Sequence, residues 1–134
     1  MSVIVTDRGF APDDWTAGFD GPESADEVTA LEIGPETDPE TLANRLPRLE
    51  MLRIRFESFA DGRGFTIARA LRRMGYAGRL RAAGHVLADQ YAMARRSGFD
   101  EIEIDDALAA RQPEDQWLAR ADWRAHDYQS RLRG

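Results

Sequence analysis

Residues 51–90, MLRIRFESFADGRGFTIARALRRMGYAGRLRAAGHVLADQ, decide the fold. The first six alternate Leu52, Ile54 and Phe56 with Arg53 and Arg55, and that period of two marks a strand. From Thr66 to Met74 the period changes. Ile67, Leu71 and Met74 share one helical face, while Arg69, Arg72 and Arg73 share the other. Gly75 is placed to stop that helix. Leu80 to Ala83 reads as a strand, and Val86 to Arg96 returns to helical spacing through Leu87, Tyr91 and Ala94. Arg95 and Arg96 fall in its last turn, with Gly98 just beyond.

The same alternation extends outward. Residues 3–6 (VIVT) form a short strand, 8–27 a polar loop or mobile segment, and 28–33 (VTALEI) a second strand. Asp38, Pro39 and Glu40 start a short helix, with Asp as the cap and Pro in the first turn, and Leu42 and Leu46 as its apolar side. Glu101 to Ile104 is a strand, and Asp105 or Asp106 caps a short helix through Ala110. Trp117, Ala121, Ala125 and Tyr128 give a final amphipathic helix after Pro113. Strands alternating with helices predict one α/β domain spanning 1–134, with about four parallel βα units and right-handed crossovers. Two arrangements remain open: an open parallel sheet, or half of a (βα)8 barrel. The half-barrel would complete itself with a second copy, which predicts a homodimer.

The 134-residue chain carries a net charge of -6, but that charge is unevenly distributed. Residues 63–96 hold eight Arg against one acid, Asp89, and the segments on either side are strongly negative. There is no Cys, which excludes disulfides, thiol catalysis and Cys-based metal sites. Every basic residue is Arg, so Schiff-base and P-loop-lysine chemistry are excluded as well. No apolar run approaches the roughly 18 residues of a membrane span, and the first ten residues lack the pattern of a secretory signal. The expectation is a cytoplasmic protein that does not engage membranes and has no metal site and no cofactor.

Two glycine-punctuated turns are candidate ligand sites. Asp61-Gly62-Arg63-Gly64 follows a strand and opens a helix, at the carboxyl end where parallel sheets bind ligands. Its amides and Arg63 suit an anion, although a tight turn capped by Asp61 accounts for the same residues. Gly84-His85 follows the next strand and would lie on the same rim. His85 has acid/base capacity, and Asp89, one helical turn on, is placed to orient it. The catalytic candidates are therefore His85, Asp61 and Asp89. Arg69, Arg72, Arg73, Arg79 and Arg81 form a candidate partner surface for an anionic protein, set against the plainer reading of a solvated face. The negative overall charge and the lack of a recognised binding motif argue against nucleic acid.

The strings RIRFESFADGRGFTIARALRRMGYAGRLRAAGHVLADQ and RRSGFDEIEI, with Tyr128-Gln129 as a C-terminal echo, resemble the bacterial family of unknown function DUF934. Family members are commonly encoded beside assimilatory sulfite reductase, and no established reaction comes with the family. The resemblance implies an accessory or interaction protein of sulfur assimilation that acts without catalysis, with a protein of the sulfite reductase system as partner. The alternative is a small anion-binding protein or enzyme with its ligand at the rim formed by Asp61, Arg63, Gly64 and His85. The chain departs from the family's pattern at Arg79, where an acid is usual, at His85, where Asp is usual, and at Ser97, where Cys is common. Neither a carboxylate at 85 nor a thiol at 97 is then indispensable, which weighs against an enzyme.

Overall fold

A computed structural model describes residues 2–126. Six strands form one sheet in the order β2-β1-β6-β5-β4-β3. They are β1 (Ser2–Thr6), β2 (Gly9–Ala11), β3 (Ala30–Ile33), β4 (Met51–Phe56), β5 (Arg79–Gly84) and β6 (Glu101–Asp105). Strands β3 to β6 are parallel, each beside its neighbour in sequence, whereas β1 runs antiparallel to both β6 and β2. The helices are α1 (Arg63–Arg73), α2 (Tyr91–Ser97), α3 (Asp106–Arg111) and α4 (Glu114–Leu118). The fold is thus mixed α/β with a mostly parallel sheet.

Strand order decides where the helices go. A right-handed crossover between adjacent parallel strands stays on one side of the sheet as long as the order does not reverse. From β3 to β6 it does not reverse, so the crossover helices share one face. That face is apolar: Leu31, Ile33, Leu52, Ile54, Leu80 and Ile102 are fully buried in a cluster with Phe65, Ile67, Leu71, Tyr91 and Ala94. Full burial of one such aliphatic side chain stabilises by about 1.5–3 kcal/mol. The alternation in MLRIRF is the signature of this one-sided packing.

Helix α1 descends closely onto the sheet. A Cβ at Gly64 would stand 2.4 Å from the tip of the Phe56 ring, so only glycine allows the approach. Phe56 in turn meets Phe65 with ring centroids 4.9 Å apart and Phe99 edge-on at 5.8 Å. Gly98, at φ 115°, caps α2 in the left-handed region as its position predicts.

Four expectations are corrected locally. Residues 9–11, placed in a loop, pair back onto β1 as an antiparallel hairpin. Its turn is held by Asp7, which accepts from Tyr91 Oη, from Arg95 Nη2 at 3.1 Å and from Trp123 Nε1 at 3.3 Å. The segment after Asp38 forms two 3-10 turns, Pro39–Leu42 and Leu46–Arg48, because Pro47 cannot continue a helix. Asp38 caps the first as expected, accepting from the Glu40 amide at 3.0 Å. The helix read from Val86 opens as the 3-10 turn Ala88–Gln90 and becomes α-helical at Tyr91. The final helix is broken into α4 and the 3-10 turn Trp123–His126, and Tyr128 lies outside the described residues. Among the described residues, no helix is long and apolar enough to cross a membrane.

Gly64→Ala should cost about 1–3 kcal/mol, as overpacking does, and Phe56→Leu in the same chain should recover part of that loss. Urea denaturation of both variants measures this. Equal midpoints for wild type and Gly64→Ala would remove the close-approach explanation.

Candidate functional site

The sheet face opposite the helices is charged. Side-chain parity along each strand places Glu32, Arg53, Arg55, Arg79, Arg81, Glu101 and Glu103 there, and they form one connected network. Arg53 donates to Glu32 and, at 3.0 Å, to Glu103 Oε1. Arg81 donates to the same Glu103 oxygen at 2.8 Å and to Glu101 Oε2 at 2.5 Å. Arg79 completes the run with a two-nitrogen grip on Glu101 at 2.8 and 2.9 Å.

The loop after β2 covers this face. Asp13 lies 3.1 Å from Arg81 Nη2 and Asp14 2.5 Å from Arg79 Nη2. The Arg53 guanidinium sits 3.8 Å from the Phe19 ring centroid. Partial burial alone would raise the Asp13 carboxyl pKa. The Arg81 guanidinium and the Trp15 amide outweigh it and hold Asp13 below its ordinary value.

The carboxyl ends of β4, β5 and β6 form the rim predicted to bind ligands. There Asp61 and Arg63 grip each other: Arg63 Nη2 donates to Oδ2 at 2.7 Å, and Nε donates to both carboxylate oxygens at 3.0 and 3.1 Å. The Arg63 amide also donates to Asp61, at 3.0 Å. The Arg63 side chain and amide hold the half-buried Asp61 carboxyl down at about 2. Gly62 caps α1 without any side-chain bond. Gly64 is buried against Phe56, so its lack of a side chain serves packing.

Gly84 and His85 stand one strand over. Gly84 has φ 110°, and a Cβ there would meet the Phe56 carbonyl oxygen at 2.7 Å. This close approach lets the His85 amide donate to that oxygen at 2.9 Å, and places its Nδ1 3.2 Å from the same atom. The ring stands edge-on to Phe59 at 5.0 Å. Gln90 ties the two loops together, donating to the Phe59 carbonyl at 3.0 Å and accepting from the Leu87 amide at 2.8 Å. Beside His85 opens a cleft of 160 Å³ lined by Ser2, Phe59, Asp105, Leu108 and Arg111.

The structure divides the remaining sequence candidates. Asp89 pairs with Arg120 at 2.6 Å, and the hydrogen bond of His85 goes to a backbone carbonyl. Arg81, read as partner surface, is fully buried, and Arg79 is tied to Glu101 and Asp14. Arg72 spends its guanidinium on the Gly98, Tyr76 and Gly78 carbonyls and on Asp100. Arg69 is exposed and reaches Ser97 Oγ at 3.0 Å, and Arg73 is exposed. The sequence reading missed Ser2, Phe59 and Arg111 as cleft residues. They lie far apart in sequence and meet only because β1 is antiparallel to β6, which sets Ser2 opposite Asp105.

Residues 30–134 match the model of the family described as bacterial protein of unknown function (DUF934), so the chain belongs to that family. The match begins at β3, and the β1–β2 hairpin and the covering loop precede it. No curated protein and no solved structure matches the chain.

Arg81→Ala should destabilise by about 3–5 kcal/mol, because it breaks the buried pairs to Glu101 and Glu103 and leaves Glu101 with Arg79 and Glu103 with Arg53. Arg73→Ala should change stability by less than about 0.5 kcal/mol. Chemical denaturation separates the two, and comparable losses would refute the division into internal and external arginines. A second outcome concerns acid. The folded Asp61 carboxyl is depressed from 3.8 to about 2. Its stabilising effect is therefore fully present above its unfolded value and lost as pH falls through the folded one. The stability gap between wild type and Asp61→Asn should widen as pH rises through that interval and stay flat above it. A gap independent of pH would show that the ion pair contributes nothing.

Proposed function

We propose that this chain is a non-catalytic accessory protein of sulfite reduction in cytoplasmic sulfur assimilation, docking to a protein of the reductase system. One observation carries the docking part: the arginines separate into two sets. Arg72, Arg79 and Arg81 are consumed by internal partners, whereas Arg69 and Arg73 project from the outer side of α1. Exposed Met93, whose carbonyl accepts from Ser97 Oγ, lies beside Arg69 and adds apolar surface. Such a ridge fits an acidic partner surface, since complementary charge steers encounter and fixes register. The implied genomic company of the family supplies the pathway.

In this reading the chain is one domain of four βα units with the local strand order of half a (βα)8 barrel, its edge beyond β6 taken by β1. The unreversed strand order from β3 to β6 and the one-sided helix layer favour it over a doubly wound sheet, in which helices cover both faces. A second copy is the corresponding partner for a homodimer. The cleft beside His85 favours a second reading, a small-ligand protein whose anion is held at the rim.

Co-purification from the native host tests the docking. Wild type should retain a stoichiometric reductase-system protein, and Arg69→Glu with Arg73→Glu should lose it. So should salt well above physiological, where the Debye length falls below about 8 Å. Equal retention by wild type and the double variant would overturn the ridge, and the absence of any such partner on wild type would overturn the accessory role.

A further inference from the structure

The rim cleft holds charges of both signs that do not cancel each other. Arg111 ends α3, is exposed, and has no carboxylate within ion-pair distance among the described residues. Asp105 caps the same helix and uses Oδ1 to accept the Leu108 amide at 2.7 Å, while Oδ2 carries no hydrogen bond among the described residues. Glu103 also lines the cleft but is neutralised: Arg53 and Arg81 converge on Oε1, and Ser2 Oγ approaches Oε2 at 3.4 Å. One uncompensated cation and one half-used carboxylate therefore face the same 160 Å³.

His85 adds a directional group. Its Nδ1 lies 3.2 Å from the Phe56 carbonyl oxygen, which can only accept, so Nδ1 carries the proton. In the neutral ring Nε2 is then an acceptor. Phe59 and Leu108 supply a short apolar wall, and Gln90 fixes Phe59 in place through its carbonyl.

From these groups we infer that the cleft binds a small zwitterion, of which a short α-amino acid is the simplest case. Its carboxylate pairs with Arg111. Its ammonium donates to Asp105 Oδ2 and to His85 Nε2, and its small side chain rests on Phe59 and Leu108. Asp105 and Arg111 are six residues apart, about 9 Å along the helix at 1.5 Å per residue. The two side chains line one cleft from opposite ends of the helix, which leaves room between them for an ammonium and a carboxylate on adjacent carbons, each reached through a charge-assisted hydrogen bond of about 2.8 Å. A simple anion would meet Asp105 and a simple cation would meet Arg111, each with a like charge left unanswered. The ligand class is thus set by the pair, and neither charge alone selects it. This inference rests on the small-ligand reading of the rim and names its substrate class.

Thermal melts and NMR titrations with glycine, alanine and serine, beside acetate, ethylammonium and sulfate, test it on the full chain. At least one amino acid should give a saturable response below about 20 mM, and the singly charged probes should not. Arg111→Gln and Asp105→Asn should each weaken that response by about tenfold or more. Asn keeps the α3 cap, so loss of fold does not confound the result. Saturable acetate or sulfate binding without amino acid binding would overturn the zwitterion and leave the rim reading standing. No saturable binding by any probe would overturn both. Amino acid binding that survives both variants would place the site elsewhere and overturn the inference.

Discussion

The buried guanidinium of Arg81 is the constraint around which this molecule is arranged. A charge with no exposed surface is tolerated only when its surroundings answer it, and here they come from three sources. Glu101 and Glu103 come from the neighbouring strand, and Asp13 comes from the loop that folds over the sheet. Because Arg53 shares the same Glu103 oxygen, and Arg79 the same Glu101, the requirement spreads over β4, β5 and β6. The network fixes which face of the sheet is polar, and the parity of each strand then directs the aliphatic residues toward the helices. The covering loop is held by side chains: two aspartates on arginines, and one aromatic ring under a third. Its backbone bridges to the sheet where Asp20 meets Leu31.

The rim follows a different logic. Asp61 and Arg63 satisfy each other, whereas the cleft beside His85 keeps its cation and its carboxylate apart. Two adjacent loops at the same end of one sheet thus differ in what they leave for a ligand. The hydrogen bonds that Gly84 permits to the Phe56 carbonyl orient the imidazole without using any carboxylate. In that arrangement Asp89 is free to serve the Arg120 contact at the far side of its turn.

Much of the fold was legible because local rules and the global fold agree. MLRIRF alternates because its strand lies between a core and a charge network, and the caps at Asp38, Asp105 and Gly98 obey local backbone chemistry. The β1–β2 hairpin was not legible: three residues carry too little pattern, and its turn depends on Tyr91 and Arg95 far along the chain. Gly64 had two local readings, and what decides it is a ring in another strand. The burial of Arg81 had a readable signal. Arg79 and Arg81 flank Leu80 in the same two-residue rhythm as Arg53 and Arg55 around Ile54, which places all four on one face. The cleft residues carried no joint signal, since only the pairing of β1 with β6 assembles them.

That pairing also sets a timetable. Strands β3 to β6 each find their partner in the next strand of the chain, so the parallel unit assembles from short-range closures. Strand β1 must wait for the strand that is last in sequence, because Val3 pairs with Ile104. On a growing chain β1 is made first and seated last. Until it is seated, β6 presents an open row of amides and carbonyls able to recruit any other extended segment. The hairpin that closes this edge lies ahead of the family match. It therefore covers the β6 edge of the parallel core that the match encompasses.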